Sequence, residues 1–134
     1  MTISVMELMV DTKMMYLNLE TFWTGTSMAF WSGILTPILV LQMKDSLMSE
    51  KEKLSLALMG MVAFGVGNVF GGLFFGVIAD KLGPKNACYV NVFLIFIQGV
   101  ATIISLDSMH FGILSYIMCF FWGLQDGAVN VHTF

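Results

Sequence analysis

Residues 54–87, LSLALMGMVAFGVGNVFGGLFFGVIADKLGPKNA, decide what kind of protein this is. From Leu54 to Ala79 there is no Asp, Glu, Lys or Arg; Asp80, Lys81 and Lys85 then follow at once, interleaved with Gly83 and Pro84. At 1.5 Å per residue a helix over the charge-free part reaches about 39 Å, more than the roughly 30 Å of a bilayer's hydrocarbon core. A charged, glycine-spaced turn closing such a run reads as the point where the chain leaves lipid.

The rest of the chain repeats the pattern. Residues 21–43, 86–106 and 108–125 are also free of charge. The 134 residues are 57% hydrophobic and 11% charged, with a mean hydropathy of +0.84. A soluble domain carries roughly 25% charged residues, so the medium is lipid. Period-2 alternation is absent, which argues against a barrel. The expectation is an all-α membrane protein with four transmembrane helices at about 14–43, 54–79, 87–106 and 109–132, one partial transmembrane domain over 1–134. Pro37 predicts a kink in the first span, because proline removes an intrahelical hydrogen bond. Residues 44–53 read as a polar connector, and Asp107 with Ser108 as a very short turn.

Several function classes fall away. A net charge of −3 and no arginine give no basic surface for nucleic acid. No phosphate loop, nucleophile elbow or zinc spacing is present, so neither an enzyme nor a cofactor is expected. The twelve methionines lack regular spacing and read as packing rather than metal capture. Cys88 and Cys119 read as free thiols. Glu7, Asp11 and Glu20 against Lys13 fit neither a signal peptide nor a transit peptide. Ile3, Met6, Val10, Met14 and Leu17 fall at helical spacing, for a segment lying on the membrane or extending the first span.

The second run is glycine-rich. Gly67 and Gly71, and Gly72 and Gly76, repeat a small-x-x-x-small spacing, with Gly60 and Gly65 seven residues upstream of Gly67 and Gly72. Bare backbone on a helix face lets a neighbouring helix approach closely.

The turn itself, Gly76-x-x-x-Asp80-Lys81-x-Gly83-x-Lys85, resembles the loop signature of the major facilitator superfamily, with Pro84 standing where many members place a basic residue. More of the chain is similar to that superfamily's "uncoordinated" (Unc ninety-three-like) branch. FWTGTSMAFWSGILTP (22–37) resembles its seventh helix, residues 62–85 the eighth with its loop, and WGLQDGAVN (122–130) the tenth; the alternative register is helices one to four of the first half, whose fourth helix often carries an arginine motif that this chain lacks. The resemblance implies a twelve-helix transporter of which this chain holds four, as a fragment or a shortened member, moving a small solute by alternating access when complete. Its partners would be the lipid bilayer and the remaining transporter helices or other membrane subunits. It also implies that residues 80–86 face the cytoplasm, a choice lysine counts leave tied between Lys13, Lys81 and Lys85 on one side and Lys44, Lys51 and Lys53 on the other. Asp80 would dock on a helix N-terminus and gate the transporter.

In that fold the first and fourth helices line the central cavity. On the first span Glu20, Thr24, Ser27 and Trp31 form one helical stripe; on the fourth, Gln125, Asp126 and Asn130 cluster within a turn, with Gly123 and Gly127 expected to clear space beside them. An acid within a span is costly and functional by default, for binding a cation, a proton or a polar substrate; the plainer alternative is an acid at the headgroups. Counted from Met109, Asp126 falls about 26 Å along the fourth span, so it and Glu20 are expected at the rim. His110 and His132 read as interfacial, and Trp23, Trp31 and Trp122 as interface anchors or cavity walls. Two other readings stay open: a structural membrane subunit that moves nothing, and a four-helix dimeric transporter with Glu20 as its proton site.

Overall fold

The computed structural model describes residues 12–108 and 110–132, and every regular element among them is helical. The helical spacing noted over residues 1–11 lies outside the described set. In chain order the elements are α1 (Thr12–Phe30), a π-helical turn (Trp31–Leu35), α2 (Thr36–Leu41), α3 (Glu50–Leu82), α4 (Pro84–Ser108) and α5 (Ile113–His132).

Pro37 acts one turn earlier than its own position. It has no N–H to donate to the carbonyl of Gly33, and a straight α-helix would bring its ring against that carbonyl. The chain relieves both problems by widening over Trp31–Leu35 into a π-helical turn, so the expected kink takes the form of a bulge. That bulge aims Leu35 into the core and Trp31 onto Phe64 of α3, their rings 4.7 Å apart.

α3 starts where the sequence offers a capping box. Ser49 Oγ accepts from the Glu52 N–H at 3.4 Å, while the Ser49 N–H donates to Glu52 Oε2 at 2.8 Å, so donors at the helix start are satisfied reciprocally. The polar connector is thus shorter than expected, since residues 50–53 already form the first turn. At the far end the whole turn between α3 and α4 is one residue. Gly83 has φ +82°, which a side chain would strain, and its N–H donates to the Ala79 carbonyl. Pro84 then opens α4, where a missing N–H costs nothing. Asp80, Lys81 and Lys85 therefore stand on helix ends rather than in a loop.

α4 also corrects a boundary. It continues through Asp107 and Ser108, the residues expected to turn, and the chain turns at 110–112 instead. α5 accordingly begins at Ile113 rather than near Met109.

Thr21–Leu41, Glu50–Leu82 and Lys85–Ser108 are long and apolar enough to cross a membrane. α5 matches them in length but not in apolarity, and its place explains why: it lies along α3 over most of its length, with α4 beside it and α1 touching its far side. Leu35, Leu39, Phe64, Met118, Cys119 and Trp122 fill the core between them. Cys119 is buried and Cys88 exposed, both as free thiols.

The α3–α5 seam is built from glycine on both sides. A β-carbon at Gly67 would fall on the Phe120 carbonyl, and one at Gly71 on that of Leu124. Reciprocally, β-carbons at Gly123 and Gly127 would fall on the carbonyls of Phe64 and Asn68. Of the four glycines expected to pack against a helix, Gly67 and Gly71 meet the α5 backbone, Gly72 is in contact with Gly127, and Gly76 meets nothing within 4 Å among the described residues. Gly123 and Gly127, expected to let a partner helix or a ligand come close, are met by the α3 backbone.

Candidate functional site

Asp126 lies where α1, α3 and α5 converge. It is 6% exposed, and its Oδ2 accepts from Asn68 Nδ2 at 2.6 Å. Asn68 stands near the middle of the charge-free run 54–79, so the carboxylate is deep in the bundle rather than at the rim expected from the sequence. The later start of α5 is part of the reason: from Ile113, Asp126 is roughly 20 Å along the helix.

The Trp31 indole, brought round by the π-helical turn, lies beside the same carboxylate. Its N–H is buried and faces Asp126 without the distance and angle of a formed hydrogen bond. One residue away, the fully buried Gln125 accepts through Oε1 from Ser27 Oγ at 3.5 Å, a long contact, and its Nε2 has no partner among the described residues. The Trp23 N–H is a further buried donor without a partner among the described residues. Trp23, Ser27 and Trp31 are four residues apart along one face of the first helical segment, and Phe30 stacks on Trp122 at 4.4 Å next to them.

Ser27, Trp31, Gln125 and Asp126 are therefore brought together. Thr24 is half-buried on the same segment and Asn130 is exposed, one turn past Asp126. Glu20 lies in α1, and its side chain, like that of His132, lies outside the described set. His110 is exposed at the opposite end of the bundle, where it lines a cleft of about 270 Å³ with Gln42, Asp45, Ser46 and Met48. Among the described residues no cluster of His, Cys, Asp and Glu could hold a metal.

Several polar residues escaped the sequence reading. Asn68 is the only carboxamide in residues 54–79, a signal that was available. Gln42 ties three helical segments together: its Nε2 donates to the Ser105 carbonyl and Oγ at 2.9 and 3.0 Å, and its Oε1 accepts from Ser115 Oγ at 2.7 Å. Trp122 Nε1 donates to Thr102 Oγ1 at 2.9 Å, so this tryptophan is a link between α4 and α5 rather than an interface anchor.

A family model described as "Ion channel regulatory protein UNC-93" matches residues 1–121 of the chain. No curated protein and no solved structure matches.

Proposed function

This chain belongs to the UNC-93 family, and on that premise we propose that it is part of a major-facilitator-type secondary transporter that moves a small solute by alternating access when complete. It is an integral, multi-pass membrane protein with three apolar membrane-length helices. In this reading α5 is a fourth span. Its 20 residues reach about 30 Å, and Ser115, Gln125 and Asp126 turn towards protein, which lowers its hydropathy without exposing them to lipid.

One observation supports the transporter reading above the others: Asp126 is almost fully enclosed at mid-bundle, bonded to Asn68 and beside Trp31. A carboxylate in that setting is unfavourable by about 2.5–3.5 kcal/mol on insertion scales. A purely structural link between α3 and α5 could be made by two amides at lower cost. Asp126 with Gln125, Ser27 and Trp31 would form the cavity wall that takes a cation, proton or polar solute. The full-length protein in proteoliposomes tests this. Asp126→Asn should abolish or re-tune pH-dependent uptake, and an unaltered pH profile would leave Asp126 as a structural acid.

The turn at Gly83 fits the same reading. Asp80 is exposed and makes no hydrogen bond or ion pair among the described residues. In the complete bundle it would face the cytoplasm and dock on a helix N-terminus, holding one gate state.

A second reading is a membrane subunit that regulates an ion channel and transports nothing. The family's description favours it, as does a shallow, open apolar groove along α3, lined by Val62, Gly65, Val66, Val69 and Phe70. Its mark would be a full-length protein that moves no solute, yet alters the current of a co-expressed channel until Gly65→Leu fills the groove.

A further inference from the structure

We propose that the seam between α1 and α5 binds a small organic cation carrying an acceptor oxygen, its ammonium group held by Asp126 and its oxygen by the Gln125 amide. This rests on the transporter reading above and names its substrate class.

The charge comes first. Asp126 is enclosed, and the groups against it, Asn68 and Trp31, are neutral donors. The chain has no arginine, and its lysines stand at 13, 44, 51, 53, 81 and 85, outside the apolar runs. Among the described residues the one ion pair, Lys53–Glu50, is at the start of α3. A buried carboxylate is retained where it is paired or hydrogen-bonded to satisfaction, and here the described residues supply amide and indole hydrogens but no cation. A ligand's positive charge completes the site.

The second observation is a surplus of unpartnered donors on the same seam. Gln125 is 0% exposed and its Nε2, like the Trp23 N–H on the facing segment, has no partner among the described residues. Each such buried group is destabilising while it stays unpaired, so both ask for an acceptor. A bare ammonium has none. A hydroxyl or carbonyl on the ligand supplies one.

The walls decide between an organic and a monatomic cation. Trp31, beside Asp126, packs on Phe64, and Phe30 of the same segment packs on Trp122. A hard monatomic cation requires about six oxygen ligands, whereas the side-chain oxygens gathered here among the described residues, from Asp126, Asn68, Ser27 and Gln125, are fewer. Aromatic surfaces with a single carboxylate suit the weakly hydrated, alkylated surface of an organic ammonium.

The test uses the full chain in lipid nanodiscs, with choline as the probe, read by equilibrium dialysis and by tryptophan fluorescence. Choline should bind, and tetramethylammonium, which lacks the hydroxyl, should bind about tenfold more weakly, the worth of one good hydrogen bond. Sodium chloride and glutarate should not displace choline. Asp126→Asn should weaken choline by at least about tenfold, and Gln125→Met, similar in volume, should erase the preference over tetramethylammonium. Absence of choline binding, displacement by sodium, binding of glutarate instead, or a full-strength Asp126→Asn variant would each overturn the site. If Asp126→Asn fails to fold by circular dichroism, Gln125→Met decides: an unchanged preference overturns the proposal. Choline binding without uptake in proteoliposomes would remove the transporter reading and keep the site. Uptake of a solute that choline does not compete for would do the reverse.

Discussion

α4 and α5 are neighbours of similar length, yet they use their polar residues in opposite ways. α4 exposes Tyr89, Val92, Phe93, Phe96 and Ile103, and buries a narrow polar line of Asn91, Gln98 and Ser105, each seven residues from the next. α5 is enclosed on nearly all sides from Met118 to Val129, and it contains Gln125 and Asp126. Hydropathy reports what a helix must offer to lipid. α4 keeps that surface and hides a polar stripe, whereas α5 has protein where lipid would be. Polar groups in such a place hold helices together, because little competes for their hydrogen bonds. The less apolar helix is thus the more central one.

If enclosure is what separates the two, substitutions along the α3–α5 seam should be far more damaging than those on lipid-facing positions. The largest effect is expected at Gly71. Its missing β-carbon would coincide with the Leu124 backbone, which has no rotamer by which to yield. Gly71→Leu should lower stability in detergent by at least the roughly 1–3 kcal/mol of overpacking and disrupt assembly. Leu73→Ala, at a side chain 67% exposed, should change it by less than about 0.5 kcal/mol. Equal tolerance of the two would place lipid, not α5, against Gly71.

Next in size is the Asn68–Asp126 bond. Replacing Asn68 alone with leucine leaves a buried carboxylate short of a donor, and should destabilise by about 1–3 kcal/mol. Replacing both with leucine should recover part of that loss, giving a coupling of about 0.5–3 kcal/mol in a double-mutant cycle. Strict additivity in the thermal unfolding data would mean the two side chains do not meet.

The seam also marks the limit of what the sequence disclosed. Charge-free runs located the helices, because lipid imposes that requirement on each span by itself. The small-x-x-x-small spacing identified glycines that pack, yet it could not tell Gly71, which meets α5, from Gly76, which meets nothing nearby. That difference depends on the crossing of two helices. Asp126 stood out because an acid in a span is costly, but its depth was misjudged from a turn placed at Asp107 and Ser108. Only the bond to Asn68 fixes it. Gln42 was missed altogether, since a glutamine at the end of an apolar run looks like an ordinary boundary until Ser105 and Ser115 are beside it.

A smaller effect is expected where α3 passes into α4. Gly83 joins them alone, at φ +82°. Nothing lies within 4 Å of where its β-carbon would be, so Gly83→Ala isolates backbone strain from crowding. It should lower stability by about 1 kcal/mol, measured by thermal unfolding. No change would mean the turn readily takes another conformation, and the relation between α4 and α5 would then not depend on it.

The smallest effect on stability is expected from the substitution that is most consequential at Asp126, made instead at Asp80. Both are aspartates on helices of the same bundle, but Asp80 is exposed and has no partner among the described residues, while Asp126 is enclosed and bonded. Asp80→Asn removes a charge that water already solvates, so the melting transition should move by less than about 0.5 kcal/mol. Its effect should appear elsewhere. In the proposed complete transporter the Asp80 carboxylate would lie against the positive end of a helix, an interaction of about 0.3–1 kcal/mol made in one gate state only. An amide would weaken it and shift the inward–outward balance by up to about fivefold. A cysteine at Ser46, on the opposite side of the bundle, would report the shift as a changed labelling rate from that side. Unchanged labelling, with stability also unchanged, would leave Asp80 a topological role at the end of α3 and no part in gating.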